Sequence, residues 1–171
     1  MITLAVETAE DWWEVEALYD LCFAPGRTAL SSYRLREGVA PIAPLCFTAR
    51  DEAGILGGAI RNWPVRVGGH LAILLGPVAV HPTRQGEGLG AYLMRRVIEE
   101  ARDLGWERIM LVGDYPYYSR FGFERLEGVE MPPPTNPDRV LGQDLVPGAW
   151  VGVTGLVERA EDCNSAPAPH L

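Results

Sequence analysis

Lysine is absent from this 171-residue sequence, and all 15 of its basic residues are arginine. A phosphate-binding P-loop needs a lysine on the phosphates, and a Schiff-base enzyme needs a side-chain amine, so both classes are excluded. The 23 acidic residues outnumber the arginines, which gives a net charge of −8 and a pI near 4.9. Nucleic-acid binding needs a basic surface, so composition argues against that partner, but it does not exclude a small anionic ligand held by local donors.

Cysteine, histidine and long apolar runs are also scarce. The three cysteines show no CxxC spacing and the three histidines form no cluster, so we expect neither a disulfide framework nor a metal site. The longest apolar run, residues 71–80, contains Gly76 and Pro77 and has about half the length of a membrane span. The N-terminus turns acidic at once, unlike a signal peptide. These features predict a cytoplasmic protein without membrane association.

Hydrophobic periodicity predicts an alternation of strands and helices in a single domain, residues 1–159, followed by a disordered tail, residues 160–171. Strands are predicted over residues 2–6, 45–50, 55–67, 71–80, 108–112, 121–126 and 150–158. Helices are predicted over residues 9–23, 30–37, 88–104 and 115–120. The proline-rich segment 127–144 is predicted to be a long surface loop. The strand, helix and strand of residues 71–112 favour a right-handed crossover between parallel strands.

The informative stretch is an apolar strand that runs through a glycine-rich turn into the most amphipathic helix. The turn contains Gly86, Gly88 and Gly90. The first N–H groups of a helix have no intrahelical partner and lie at its positive end, which favours a pyrophosphate there, with Arg84 as a nearby charged donor. Gly76-Pro77 predicts a bulge that frees backbone groups of the strand for a ligand. A tight turn without a ligand is the alternative.

Two motifs resemble the GNAT superfamily of acyl-CoA-dependent N-acyltransferases. Gln85-x-x-Gly88-x-Gly90 is similar to its Q/R-x-x-G-x-G/A signature, and residues 118–123, YSRFGF, are similar to its second signature. The sequence from Val112 to Phe123 also resembles that of a bacterial YhbS-like branch of predicted acetyltransferases. The resemblance implies an α/β (α+β) fold: a mixed, mostly antiparallel twisted sheet of about six or seven strands, about four flanking helices, and a splayed parallel pair, residues 71–80 and 108–112, at the cofactor site.

The resemblance further implies that acetyl-CoA is the cosubstrate, without a metal, and that a primary amine attacks it directly. The strand edge would pair with the pantetheine arm and the turn would bind the pyrophosphate, so the implied cofactor-binding residues are Val78, Ala79, Val80, Arg84, Gln85, Gly86, Glu87, Gly88, Leu89, Gly90, Ala91 and Tyr118. Tyr118 would protonate the departing thiolate, and the backbone N–H of Val78 is our candidate donor to the developing oxyanion.

The sequence does not identify the general base that would deprotonate the amine. Asp114 is the carboxylate nearest to the predicted site, and deprotonation through water is an equal alternative. His70 and His81 are interpreted as loop or capping residues, and Glu37 as a solvated helix end. A dinucleotide-binding Rossmann unit fails because a three-stranded meander precedes the turn. The remaining rival is a non-catalytic acyl-CoA-binding sensor or interaction module, in which Tyr118 only packs.

The acceptor is a small amine or a peptide amine that the sequence does not specify. The negative net charge suits a cationic amine, such as a polyamine, an amino sugar or a peptide N-terminus. Three arginines suit an acidic acceptor instead: Arg27, Arg34 and Arg36. Aromatic residues that could line the acceptor side are Trp12, Trp13, Phe23, Tyr33 and Trp63. The sequence does not decide whether the protein forms a homodimer.

Overall fold

The structure of the protein, a computed structural model, describes residues 1–23 and 31–160. Nine strands lie in these ranges: β1 (Thr3–Val6), β2 (Phe47–Arg50), β3 (Leu56–Val67), β4 (His70–Val80), β5 (Arg108–Val112), β6 (Glu124–Arg125), β7 (Val129–Glu130), β8 (Val140–Asp144) and β9 (Gly155–Arg159). Four α-helices lie there too: α1 (Trp12–Cys22), α2 (Ser31–Arg34), α3 (Leu89–Asp103) and α4 (Tyr115–Tyr118). None of the helices in the described ranges is long and apolar enough to cross a membrane.

The strands form one sheet in the order β1-β2-β3-β4-β5-β8-β6, with β9 on part of β3 and β7 on β9. Neighbours along this main order run antiparallel except β4 and β5, which are parallel. This arrangement confirms the mixed, mostly antiparallel sheet implied by the resemblance. The strand count exceeds the expected six or seven because β7 and β8 lie where no strand is predicted.

Helices cover both faces of the sheet because their apolar stripes need partners. On one face, α3 buries six side chains of its apolar stripe: Leu89, Leu93, Met94, Val97, Ile98 and Ala101. They pack against sheet residues that include Ile60, Ile73 and Leu111. On the other face, Val15, Leu18 and Tyr19 of α1 pack against Leu56, Ala59 and Ala79. β4 therefore lies between α3 on one face of the sheet and α1 on the other.

The parallel strands β4 and β5 part soon after they meet. Only Ile73 and Leu74 of β4 pair with β5. Beyond them, the register between β3 and β4 shifts so that Gly76 and Pro77 together lie opposite a single residue of β3, which is the predicted bulge. β4 continues along β3, whereas β5 stays paired with β8. The splayed parallel pair is thus confirmed, and the bulge lies where the gap opens.

The predicted loop over residues 127–144 is wrong. β7 and β8 lie within it, and β8 pairs with the whole of β5. The prolines of this segment precede Val140, so they leave the N–H groups of β8 free for the ladder. The predicted strand over 121–126 is also mostly wrong, because a 3-10 turn, Ser119–Phe121, and Gly122 at φ +93° leave only β6. Of the predicted tail, all but Ala160 lies outside the described residues.

Candidate active site

A cavity of about 180 Å³ opens in the gap between β4 and β5. Its described lining is mainly apolar and comes from α2, β4, β5, α4 and the turn after Arg34. The residues are Phe23, Tyr33, Arg36, Leu74, Leu75, Gly76, Pro77, Val78, Leu111, Val112 and Tyr118. The strand bulge, the backbone of Val78 and Tyr118 therefore meet around one space, as a site for thioester chemistry at a strand edge requires.

The edge of β4 beyond the bulge carries the three strand residues predicted to bind the cofactor. The N–H of His81 donates to the carbonyl of Gly57 on β3 at 2.8 Å. Backbone groups alternate along a strand, so those of Ala79 also face β3 while those of Val78 and Val80 face the gap. The carbonyl of Val80 accepts from the Gln85 Nε2 at 2.9 Å and from the Cys22 Sγ at 3.3 Å. Val78 is left as the backbone donor and acceptor nearest the cavity.

The turn into α3 presents its backbone N–H groups without a side-chain cap. The N-cap is Gly88, in the left-handed region at φ +80°, and the first intrahelical bond here runs from Tyr92 N–H to its carbonyl. Within residues 1–23 and 31–160, no side chain caps this helix start. The predicted pyrophosphate donors, the N–H groups of Gly86 to Gly90, therefore include amides of the kind that a helix start normally offers to an anion.

Two side chains of the turn already have protein partners. Arg84 forms ion pairs with Asp51 and with Glu87, the latter at 3.3 Å. Gln85 ties the turn to the end of β4 through the carbonyl of Val80. Both side chains therefore hold the shape of the turn. His81 behaves as expected of a capping residue, because its Nδ1 accepts from the Thr83 N–H at 3.1 Å.

Tyr118 lies on the wall of the cavity, at the end of α4. Its ring packs edge-to-face on Tyr117 at 4.9 Å and on Phe123 at 6.3 Å between centroids. A Cβ built on Gly113 would lie 2.8 Å from Cδ2 of Tyr118 and closer still to Cε2. Burial raises the pKa of the Tyr118 phenol above its usual value, and the neighbouring Tyr117 acts in the same direction. The phenol is therefore a proton donor at neutral pH.

Asp114, the expected base candidate, is exposed and serves as the N-cap of α4. Its Oδ2 accepts from the Tyr117 N–H at 3.3 Å. The residue is not among the described residues that line the cavity. A capping role explains an aspartate at this position fully, since Asp is a preferred N-cap. In the structure, Asp114 therefore caps α4 and is not among the described residues of the cavity wall.

The residues expected on the acceptor side separate into groups. Phe23, Tyr33 and Arg36 line the cavity between the parted strands. Trp12 and Trp63 line a second cavity, of about 300 Å³. Trp13 and Arg34 are exposed and line neither of these two cavities. Arg27 lies outside the described residues.

Sequence reasoning assigned no role to Gly113, whose missing side chain makes room for Tyr118. The available signal was a glycine placed directly after the buried strand β5. The structure also shows no group of three or more His, Cys, Asp or Glu residues able to hold a metal ion, within the part of the chain that it describes. The site therefore combines main-chain donors with Tyr33, Arg36 and Tyr118, and its other described walls are apolar.

Comparison with known proteins places this geometry in a family. Residues 43–125 match the family model "Acetyltransferase (GNAT) domain". The chain is 30% identical over 165 residues to the "Uncharacterized N-acetyltransferase YhbS" of Escherichia coli strain K12, covering 94% of this chain and 98% of that protein. The crystal structure of YhbS from Escherichia coli in complex with CoA matches with a TM-score of 0.80 at 29% identity, over 95% of this chain and 92% of that one.

A GNAT family acetyltransferase from Brucella melitensis in complex with acetyl-CoA matches with a TM-score of 0.63 and 30% identity, over 72% of this chain and 83% of that one. Both structural relatives hold CoA or its acetyl thioester. The family match and the near full-length relationship agree with the strand gap, the open helix start and the tyrosine described above. This chain belongs to the GNAT family of acetyltransferases.

Proposed function

We propose that the protein transfers an acetyl group from acetyl-CoA to a primary amine by direct attack. The observation that carries the proposal is the gap between β4 and β5, where the backbone of Val78 and the side chain of Tyr118 border one cavity. The CoA and acetyl-CoA complexes of the two structural relatives support the donor. The acceptor would be a small amine or a peptide amine.

The residues present fit acetyl-CoA. The gap-facing backbone of Val78 would pair with the pantetheine arm as an added strand does, while Ala79 holds β4 in register on β3. The N–H groups from Gly86 to Gly90 would bind the pyrophosphate at the positive end of α3. Arg84 and Gln85 would act by holding the turn, through Asp51, Glu87 and Val80.

The chemical step needs the amine in its neutral form, and an ordinary alkyl amine has a pKa of about 10.4. The lone pair of the amine nitrogen attacks the thioester carbon, a C–N bond forms and the C–S bond breaks. The Val78 N–H would stabilise the carbonyl oxygen as it gains negative charge. Tyr118 would give its proton to the departing sulfur. The excess proton of the attacking amine would pass to water, and a proton from water would then return to the Tyr118 phenolate.

The test measures acetyl-CoA binding and acetyl transfer separately. Saturating acetyl-CoA should raise the melting temperature by several degrees, because a ligand that binds only the folded state stabilises it. Thiol release should then appear with at least one amine of a panel that contains polyamines, amino sugars, amino acids and short peptides. No thermal shift would contradict acetyl-CoA as the donor. A shift without release from any amine would favour the acyl-CoA sensor.

We further propose that residues 1–159 work as one domain in the cytoplasm. The support is the cysteine usage: Cys22 and Cys46 are free thiols, and the sequence shows no disulfide spacing. Burial raises the pKa of the Cys46 thiol to about 11, so this cysteine is kept as an unreactive core residue rather than a nucleophile. We also propose a homodimer, which a measurement of the molecular mass in solution would test.

A further inference from the structure

One buried charge distinguishes the cavity between β4 and β5. Arg36 is the single charged side chain among the described residues that line it, and it is only 9% exposed. The other described walls are aliphatic, aromatic or glycine, apart from the two tyrosine hydroxyls of Tyr33 and Tyr118. This charge sets the cavity apart from a purely apolar one.

The guanidinium of Arg36 is held in a fixed position. Its Cζ lies 4.1 Å from the ring centroid of Tyr33 and 5.8 Å from that of Trp63. Stacking between two rings orients the planar fork, and the neighbouring Leu35 is buried in the core and anchors the main chain. The charge is therefore presented to the cavity with little freedom to move away.

We propose that the acceptor amine carries an anionic group, a carboxylate in the simplest case, which Arg36 binds while the amine points to the thioester. This inference rests on the transferase function proposed above and names its substrate class. A fixed guanidinium matches a carboxylate in geometry, and the apolar walls strengthen the attraction by excluding water. The same charge repels a polyamine or any acceptor with a second cationic group from the cavity.

The charge at Arg36 also helps the acceptor amine to react. A neighbouring positive charge disfavours the ammonium form, so an amine held near the guanidinium loses its proton more readily. The acceptor would thus be bound through its anion and supplied to the thioester in the neutral state. The acidic surface of the protein, which by itself suits a cationic acceptor, does not reach into this cavity, where the described charge is positive.

The test compares free amino acids with the same amino acids as carboxamides, which lack the negative charge, and with the polyamines putrescine and spermidine, each at a pH chosen to give the same fraction of neutral amine. Thiol release from acetyl-CoA should give a kcat/KM at least about tenfold higher for the preferred carboxylate than for its carboxamide, as expected for one charge-assisted pair. Arg36→Gln should remove that preference by lowering turnover of the carboxylate alone. Arg36→Lys should restore part of it, because the charge returns without the fork.

The control variant is Arg34→Gln, which removes an exposed arginine two residues away and outside the cavity. It should leave the preference unchanged. A polyamine or carboxamide preference in the parent protein would overturn the proposal. An equal loss with every acceptor in Arg36→Gln would do the same, because it would show a structural role.

A binding measurement separates this inference from the proposed function. In the presence of CoA, N-acetyl amino acids should raise the melting temperature of the parent protein more than their carboxamides do, and Arg36→Gln should abolish the difference. Acetyl-CoA binding without any discrimination between these ligands would refute the anionic acceptor and leave the transferase intact. Failure to bind acetyl-CoA would instead refute the transferase proposal.

Discussion

At the scale of single residues, the surroundings of Tyr118 decide what its hydroxyl does. Burial raises the pKa of the phenol above its usual value, so it stays protonated wherever the protein is folded near neutral pH. Two neighbouring rings fix its plane, and Gly113 leaves the room that the ring occupies. A phenol in this state is a donor and not a base, which matches the protonation of a leaving thiolate.

Tyr118→Phe should lower kcat by about 100-fold or more, the usual size of a general-acid contribution, and leave acetyl-CoA affinity unchanged. Phenylalanine keeps the ring packing, so binding and stability should be preserved. In the parent protein, kcat/KM should rise with pH as the acceptor amine deprotonates, and Tyr118 should cause no decline below about pH 10, since its pKa is shifted upward. Steady-state kinetics and a binding titration measure both effects, and an unchanged kcat would remove Tyr118 from the mechanism.

Gly113→Ala should displace the ring of Tyr118 and lower both stability and kcat. The added Cβ would meet the ring at distances that real side chains do not tolerate. Overpacking of this kind costs about 1–3 kcal/mol of unfolding free energy. In a Tyr118→Ala background the same glycine substitution should cost much less, because the clashing ring is absent. Urea denaturation of the four proteins measures this coupling, and equal costs in the two backgrounds would contradict the steric explanation.

At the scale of elements, the end of β4, the turn and the start of α3 act as one unit. The Gln85 side chain fastens the turn to the last carbonyl of β4, and Arg84 fastens it to the β2–β3 hairpin through Asp51. Gly88 then reverses the chain into the helix in a left-handed conformation. The direction of the first amides of α3 is set by this sequence of local constraints.

Gly88→Ala should weaken acetyl-CoA binding by about tenfold or more, because a side chain at this φ costs about 1 kcal/mol and shifts the turn that aims the amides. Gly54→Ala is the matched control. Gly54 lies in the β2–β3 hairpin at φ +82°, against +80° for Gly88, and a Cβ has open space at both. Both variants should lose a similar amount of stability, but only Gly88→Ala should lose affinity for acetyl-CoA. A comparable loss of acetyl-CoA affinity in both variants would contradict the role of this helix start.

Elements were predictable from sequence where their determinants are local, and missed where they are not. The determinants of α3, its apolar stripe and the Gly105 that follows it at φ +88°, lie within one segment, and the structure confirms the helix predicted over residues 88–104 to within one residue at each end. β8 is different, because Val140–Asp144 becomes a strand by pairing with β5, some thirty residues earlier in the chain. The nearby prolines dominated the local pattern and concealed that pairing.

At the scale of the whole molecule, the same contrast separates the two halves of the candidate site. The cofactor side is one continuous stretch from Val78 to Ala91, so a motif reveals it. The acceptor side is assembled from α2, β5 and α4, and only the fold shows that Arg36 lines the cavity while Arg34 does not. A helix of a single turn, α2, ends at Arg34, so it is too short for a hydrophobic period to show which of the two arginines faces inward.

The sheet and α1 are joined by two arginine clusters that differ mainly in burial. Arg61 of β3 binds Glu7 at 2.8 Å and also pairs with Glu16 of α1, and its side chain is 9% exposed. Arg50 of β2 binds Asp11 at 2.8 Å and Glu14 at 2.9 Å, with 23% exposure. The Arg61 cluster also reaches the cavity region, since the guanidinium lies 5.2 Å from the ring of Tyr19, whose hydroxyl donates to the carbonyl of Pro77.

Arg61→Met should destabilise the protein by about 3 kcal/mol or more, because it strands two carboxylates in a poorly hydrated place. Arg50→Met, which makes the same change in a similar but more exposed cluster, should cost about 1 kcal/mol or less. Urea denaturation at neutral pH gives both values. Adding Glu7→Gln to Arg61→Met should recover part of the loss by removing a stranded charge. An Arg50→Met cost equal to that of Arg61→Met would show that burial does not set the strength of these clusters, and a lack of recovery in the double variant would exclude the stranded carboxylate as the cause.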